Sequence, residues 1–102
     1  MIGLPTKRTP THPGEMLLEE FLIPLHMTQT VCAERLGVSY PRLNEIIRGK
    51  RGVTPDTALR LERLFGMSAQ FWLNVQQAYD LYQTLHSPAA KSIAKIKPAI
   101  AA

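Results

Sequence analysis

The stretch from Thr28 to Arg51, TQTVCAERLGVSYPRLNEIIRGKR, constrains this chain more than any other, because its start and stop signals define two short helices joined by a sharp turn. Thr28 caps a first helix over about Gln29 to Leu36, its hydroxyl oxygen accepting a backbone N–H that the first turn leaves unpaired. Gly37 ends that helix, since glycine enters the left-handed conformation without the steric cost other residues bear. Ser39 caps a second helix from about Tyr40 to Arg48, and Pro41 is tolerated there because an N–H in the first turn has no partner to lose. Cys32, Leu36, Val38, Leu43 and Ile46 supply apolar groups to the faces that meet, while Ala33 is small enough to let the helices cross closely. The opposite face of the second helix carries Ser39, Tyr40, Arg42 and Glu45, flanked by Asn44 and Arg48 and followed by Gly49, Lys50 and Arg51. Such a face suits the major groove of DNA. A helical hairpin with a glycine turn also serves as a pure packing unit, but the small residue, glycine, capping serine and basic cluster together favour DNA reading.

The rest of the chain is consistent with a small globular domain. Its 102 residues suffice for one modest core, and 45% hydrophobic with 20% charged residues is an ordinary balance for such a domain. No apolar run reaches the length of a membrane span, and the N-terminus lacks the apolar core of a secretory signal, so a cytoplasmic protein with no membrane partner is expected. The single cysteine excludes an internal disulfide, and Cys32 reads as a buried structural thiol. Twelve basic residues against eight acidic ones give a net charge of +4, compatible with a polyanionic partner but too mild to require one. Its placement is more informative: Arg35, Arg42, Arg48, Lys50 and Arg51 crowd the helical pair, whereas Glu15, Glu19 and Glu20 stand on the preceding helix.

Residues 1–12 read as a flexible arm, in which Lys7 and Arg8 receive no role. Pro13 and Gly14 open a first helix with Leu17, Leu18, Phe21, Leu22 and Leu25 on a buried stripe, ended or kinked by Pro24. Glu15 is explained by the helix dipole; Glu19 and Glu20 are not. In TPDTALRLERLFG, Thr54 caps, Pro55 opens, Gly66 terminates, and Ala58, Leu61, Leu64 and Phe65 face inward with Arg60 and Arg63 outward. Ser68 caps a last helix, AQFWLNVQQAYDLYQTLH, whose apolar residues Phe71, Trp72, Leu73, Val75, Ala78, Tyr79, Leu81, Tyr82 and Leu85 spread around much of the cylinder. Either the first helix covers them or a second chain does. The expected domain thus spans residues 13–86, and residues 87–102 read as a disordered tail. His12, His26 and His86 lie far apart, and no metal-ligand spacing or phosphate loop occurs, so neither catalysis nor a metal or cofactor is expected.

The run from HPGEMLLEEFL through RLNEIIRGKRGVTPDTALRLERLFG to FWLNVQQAYDL closely resembles the HigA-type, or VapI-like, antitoxins of the XRE helix-turn-helix group. The resemblance implies an all-α, five-helix fold like that of lambda-type repressors, with a central helix-turn-helix. It implies a homodimer on double-stranded operator DNA that represses its own toxin–antitoxin operon, and a RelE-like, mRNA-cleaving toxin as second partner. By position, Ser39, Tyr40, Arg42 and Glu45 are implied to face bases, and Gln29, Arg48, Lys50 and Arg51 to contact phosphates. Many relatives carry arginine where this chain has Tyr40, so the likeness implies a mode of binding and not an operator sequence. It offers no short toxin-binding motif; Glu19 and Glu20 are taken as the toxin-facing pair, on their unexplained charge. A free-standing repressor without a toxin is the other reading.

Overall fold

Capping chemistry divides the chain into helices. The structure is a computed structural model that describes residues 9–100; Lys7, Arg8 and most of the expected arm lie outside them. Helix α1, Pro13–Leu17, begins at His12, whose Nδ1 accepts the N–H of Gly14 at 2.9 Å. It continues into a π-helical turn, Leu18–Leu22, where the N–H of Ile23 bonds back to the carbonyl of Leu18 at 3.0 Å. Pro24 accounts for the widening. Its ring would press on the carbonyl four residues earlier and it has no N–H to give. The chain then turns through His26 at φ 54°. Leu25, expected on the buried stripe, falls in this turn and is 57% exposed, while Leu17 and Leu22 reach the core.

Helix α2, Gln29–Leu36, is capped by the Thr28 hydroxyl, which accepts the N–H of Val31 at 3.1 Å. It closes at Gly37, φ 74°, where the N–H of Val38 returns to the carbonyl of Ala33 at 3.0 Å. Helix α3, Tyr40–Ile47, follows α2 after three residues, with the Ser39 hydroxyl accepting the N–H of Arg42 at 3.2 Å. Helix α4, Pro55–Phe65, is capped by Thr54 and ends at Gly66, and α5, Ala69–Leu85, is capped by Ser68. A sixth helix, α6, Ala89–Ala94, lies in the stretch expected to be a disordered tail. The run AAKSIA contains neither glycine nor proline to oppose a helix, and none of its side chains is buried.

The core is built where α1, α2, α3 and α4 meet the first half of α5. Cys32, Ala58 and Trp72 are fully buried, with Leu17, Leu22, Leu43, Ile46 and Leu61 close to it. Leu64 and Phe65 pack against this core only partly buried. Trp72 lies between the rings of Phe21 and Phe71, each centred 5.4 Å away, and its indole Nε1–H has no acceptor among the described residues. The first half of α5 is therefore covered from within the chain. Its second half is not: Leu81 and Leu85 are 48% and 49% exposed, and Ile93 and Ile96 beyond them are exposed too.

The opening of α1 rests directly on the end of α3. A Cβ at Gly14 would lie 1.8 Å from the carbonyl oxygen of Ile46 and 2.8 Å from the Cα of Ile47, so only a glycine permits this approach. The start of α1 thereby buttresses the helix that carries the polar face.

Candidate nucleic-acid interface

The helix-turn-helix of α2 and α3 is held by side chains from three directions. Between the two helices, the Asn44 amide donates to the Gln29 carbonyl oxygen at 3.0 Å. From α4, Arg60 donates to the carbonyls of Leu36 and Gly37 at 2.9 and 3.4 Å, closing the C-terminus of α2 whose last carbonyls lack helical partners. Arg60, expected to be solvated, is thus a clamp on the turn. Arg42 reaches from α3 to α4, where its Nη2 donates to the Asp56 carboxylate at 2.9 Å and to the Thr57 hydroxyl at 2.7 Å. Asp56 also accepts from Arg60 at 2.8 Å, and hydrogen bonds from Arg60 and then Arg42 hold its carboxyl below the usual range.

The loop after α3 is fixed from α5. The buried Gln76 side chain accepts the N–H of Val53 at 2.7 Å and donates to Asp80 at 2.9 Å. Gly52 fits against that amide, since a Cβ there would come within 3.2 Å of it. Lys50 and Arg51 are therefore presented on a pinned loop. Tyr79 meets the His12 ring edge-on at 4.8 Å, so α5 also steadies the cap of α1. Burial pushes the His12 pKa below its ordinary value, against the opposing pull of Asp80 and Glu15.

The expected site residues fall into two groups. Ser39, Tyr40, Arg48 and Lys50 are exposed at the surface around α3, and Arg48 and Lys50 take part in none of the ion pairs among the described residues. The others are engaged within the chain. Gln29 accepts from Asn44, Arg42 is tied to Asp56 and Thr57, and Glu45 accepts from Arg51 at 2.8 Å in an ion pair half open to water. Arg42, expected to reach a base edge, has its side-chain partners among the described residues on α4. Glu45, likewise expected to face bases, has its carboxylate occupied by the residue expected to hold phosphate. Sequence reading missed Asp56 and Thr57 as anchors, Gln76 as the loop pin, and Pro41 as a surface residue. Pro41 had been explained by its place in the first turn, yet it is exposed on the side of α3 opposite Leu43 and Ile46.

A second surface lies on another side of α1. Glu19 and Glu20 are exposed on the π-helical turn, and with Glu15 they border a groove of about 560 Å³ lined by Met16, Phe21, Met67 and Phe71. No group of residues suited to a metal ion occurs among the described residues, and none of their helices is long and apolar enough to cross a membrane.

A family model described as Helix-turn-helix, HTH_3, matches residues 18–72, more than half of the chain. Virulence-associated protein I of Dichelobacter nodosus is 57% identical over 70 residues, which are 69% of this chain and 65%, just under two thirds, of that protein. Antitoxin HigA-1 of Vibrio cholerae serotype O1 is 42% identical over 80 residues, 78% of this chain and 74% of the relative. Among solved structures, the Pseudomonas aeruginosa antitoxin HigA with the higBA promoter superposes with a TM-score of 0.82 at 40% identity, covering 89% of this chain and 99% of the other.

Proposed function

This chain belongs to the XRE-type helix-turn-helix family that includes the HigA-type antitoxins, a family of DNA-binding regulators and not of enzymes, and from that premise we propose that it is a dimeric antitoxin that binds and represses its own operon and neutralises a RelE-like, mRNA-cleaving toxin. The observation that carries the DNA half is the exposed leading end of α3 beside a pinned basic loop, both held rigidly by α4 and α5. Rigidity matters because a reading helix held in one orientation pays little ordering cost when it docks. Ser39 and Tyr40 meet base edges, whereas Arg48, Lys50, Arg51 and the start of α2 at Gln29 meet the phosphate backbone. Arg42 positions α3 and does not read sequence.

The toxin half rests on the acidic groove. A basic partner would be steered toward Glu19 and Glu20, and such rim charges govern association rate and its salt dependence more than final affinity. The test has two arms. The chain should retard a duplex from the promoter of its own gene, and Arg48→Ala or Lys50→Ala should weaken all duplexes alike and lower the salt slope by about one each. A toxin encoded beside the gene should associate more slowly at low salt with Glu19→Lys plus Glu20→Lys while promoter binding stays intact. Promoter binding with no toxin partner would leave a free-standing repressor, and no promoter binding would overturn the proposal.

A further inference from the structure

Helix-turn-helix proteins meet base edges with the first residues of the second helix, so the chemistry of that turn decides what kind of sequence is read. Here the turn is Ser39, Tyr40, Pro41 and Arg42. Arg42 is drawn away to Asp56 and Thr57, and the next two polar side chains on α3 are occupied, Asn44 by Gln29 and Glu45 by Arg51. The hydroxyl of Ser39 already accepts the N–H of Arg42, leaving its proton to give. What remains free at the leading end is largely apolar: the Tyr40 ring, 49% exposed, and the exposed ring of Pro41.

Pro41 stands seven residues before Arg48, two helical turns away on the same outward stripe. A phosphate contact at Arg48 therefore leaves Pro41 facing into the groove. Its side chain can neither donate nor accept a hydrogen bond. A cytosine amino group set against it would lose a water without gaining a partner, which disfavours that base. The apolar group that a base edge presents in the major groove is the C5-methyl of thymine.

Resting on the operator-binding reading above, we propose that this chain recognises its operator through thymine methyl groups seated against the rings of Pro41 and Tyr40. Hydrogen-bonded readout at that end is confined to the Ser39 hydroxyl and the Tyr40 hydroxyl. Specificity is then carried by shape and desolvation at the leading end of α3, with the arginines of the motif serving position and phosphate contact.

Replacing thymine by deoxyuridine removes the methyl and leaves base pairing unchanged. Duplexes would be selected from a random pool by the full-length protein, and each thymine of the selected half-site replaced singly by deoxyuridine. At one or two positions per half-site the affinity should fall about three- to fivefold, the loss expected for one buried methyl group. That penalty should disappear at its position in Pro41→Ser or in Tyr40→Ser, whichever ring the methyl touches; both variants would be checked for an unchanged helical signal and melting temperature. Should Pro41→Ser fail to fold, Pro41→Asn, which likewise removes the ring and presents a polar side chain, takes its place in the same series. Selection of a duplex in which no deoxyuridine weakens binding overturns the inference while leaving operator binding intact, and penalties that persist in both variants overturn it equally. Failure to enrich any duplex overturns the operator-binding reading, and this inference with it.

Discussion

His12 works as a helix cap only while its Nδ1 is unprotonated, because the ring nitrogen must accept the Gly14 N–H. Its pKa is lowered by burial from the ordinary 6.5, so as pH falls through that value the unfolded chain takes up the proton first. The contribution of His12 is thus complete above about pH 6.5 and is lost as pH falls from there through the lower folded value. Urea midpoints at pH 7.5 and 5.5 should differ more for the native chain than for His12→Asn, which caps without titrating; equal differences would remove His12 from the account. Cys32 illustrates the opposite case. Its thiol is fully buried and pushed up to about 11, so at neutral pH it is an inert filler of the core, in keeping with its reading as a structural thiol. Both assignments involve one residue and its immediate surroundings, but only the cysteine was legible beforehand. A histidine is an uncommon cap, and its burial depends on Tyr79, far along the chain.

Among the helices, the tie from α3 to α4 is the one most open to test. Arg42→Met keeps much of the side chain's length and removes its donors, leaving the buried Thr57 hydroxyl without its bond from α3. Loss of that bond should lower the melting temperature by about 4–8 °C. It should also weaken operator and random DNA by the same factor, whereas relaxed discrimination at a single base pair would return Arg42 to base reading. Helix boundaries agreed closely with the sequence because capping is local: Thr28, Ser39, Thr54 and Ser68 each act on an N–H three residues away. The role of Arg42 was not legible for the same reason. Its partners stand 14 and 15 residues on, and an acidic residue such as Asp56 in the first turn of α4 needs no partner beyond the helix dipole. Gln76, 23 residues from Val53, is further from any local rule. The π-helical turn was foreshadowed only as a break at Pro24. In α6, the composition that suggested disorder is compatible with a short exposed helix.

At the scale of the molecule, the described chain measures 52 × 23 × 22 Å, with a radius of gyration of 16.3 Å. A chain of this length folded into a single compact body has a radius near 13 Å. The elongated form accompanies a C-terminal end with little to bury it, where Leu81, Leu85, Ile93 and Ile96 stay exposed. In the proposed dimer a second copy covers them, so that the seam is formed by α5 together with α6. Leu81→Glu with Leu85→Glu should give a monomer by sedimentation and lose about a hundredfold or more of operator affinity, as when two linked binding modules are separated. A variant that remains dimeric moves the seam elsewhere. The backbone contact between Gly14 and Ile46 bears on how operator preference can diversify. Backbone atoms have no rotamers with which to yield, so the seat of α3 against α1 leaves little room for gradual adjustment of its tilt by substitution at position 14. New operator preferences would then arise by exchanging side chains on the leading turn of α3, one residue at a time, within a frame that stays where it is.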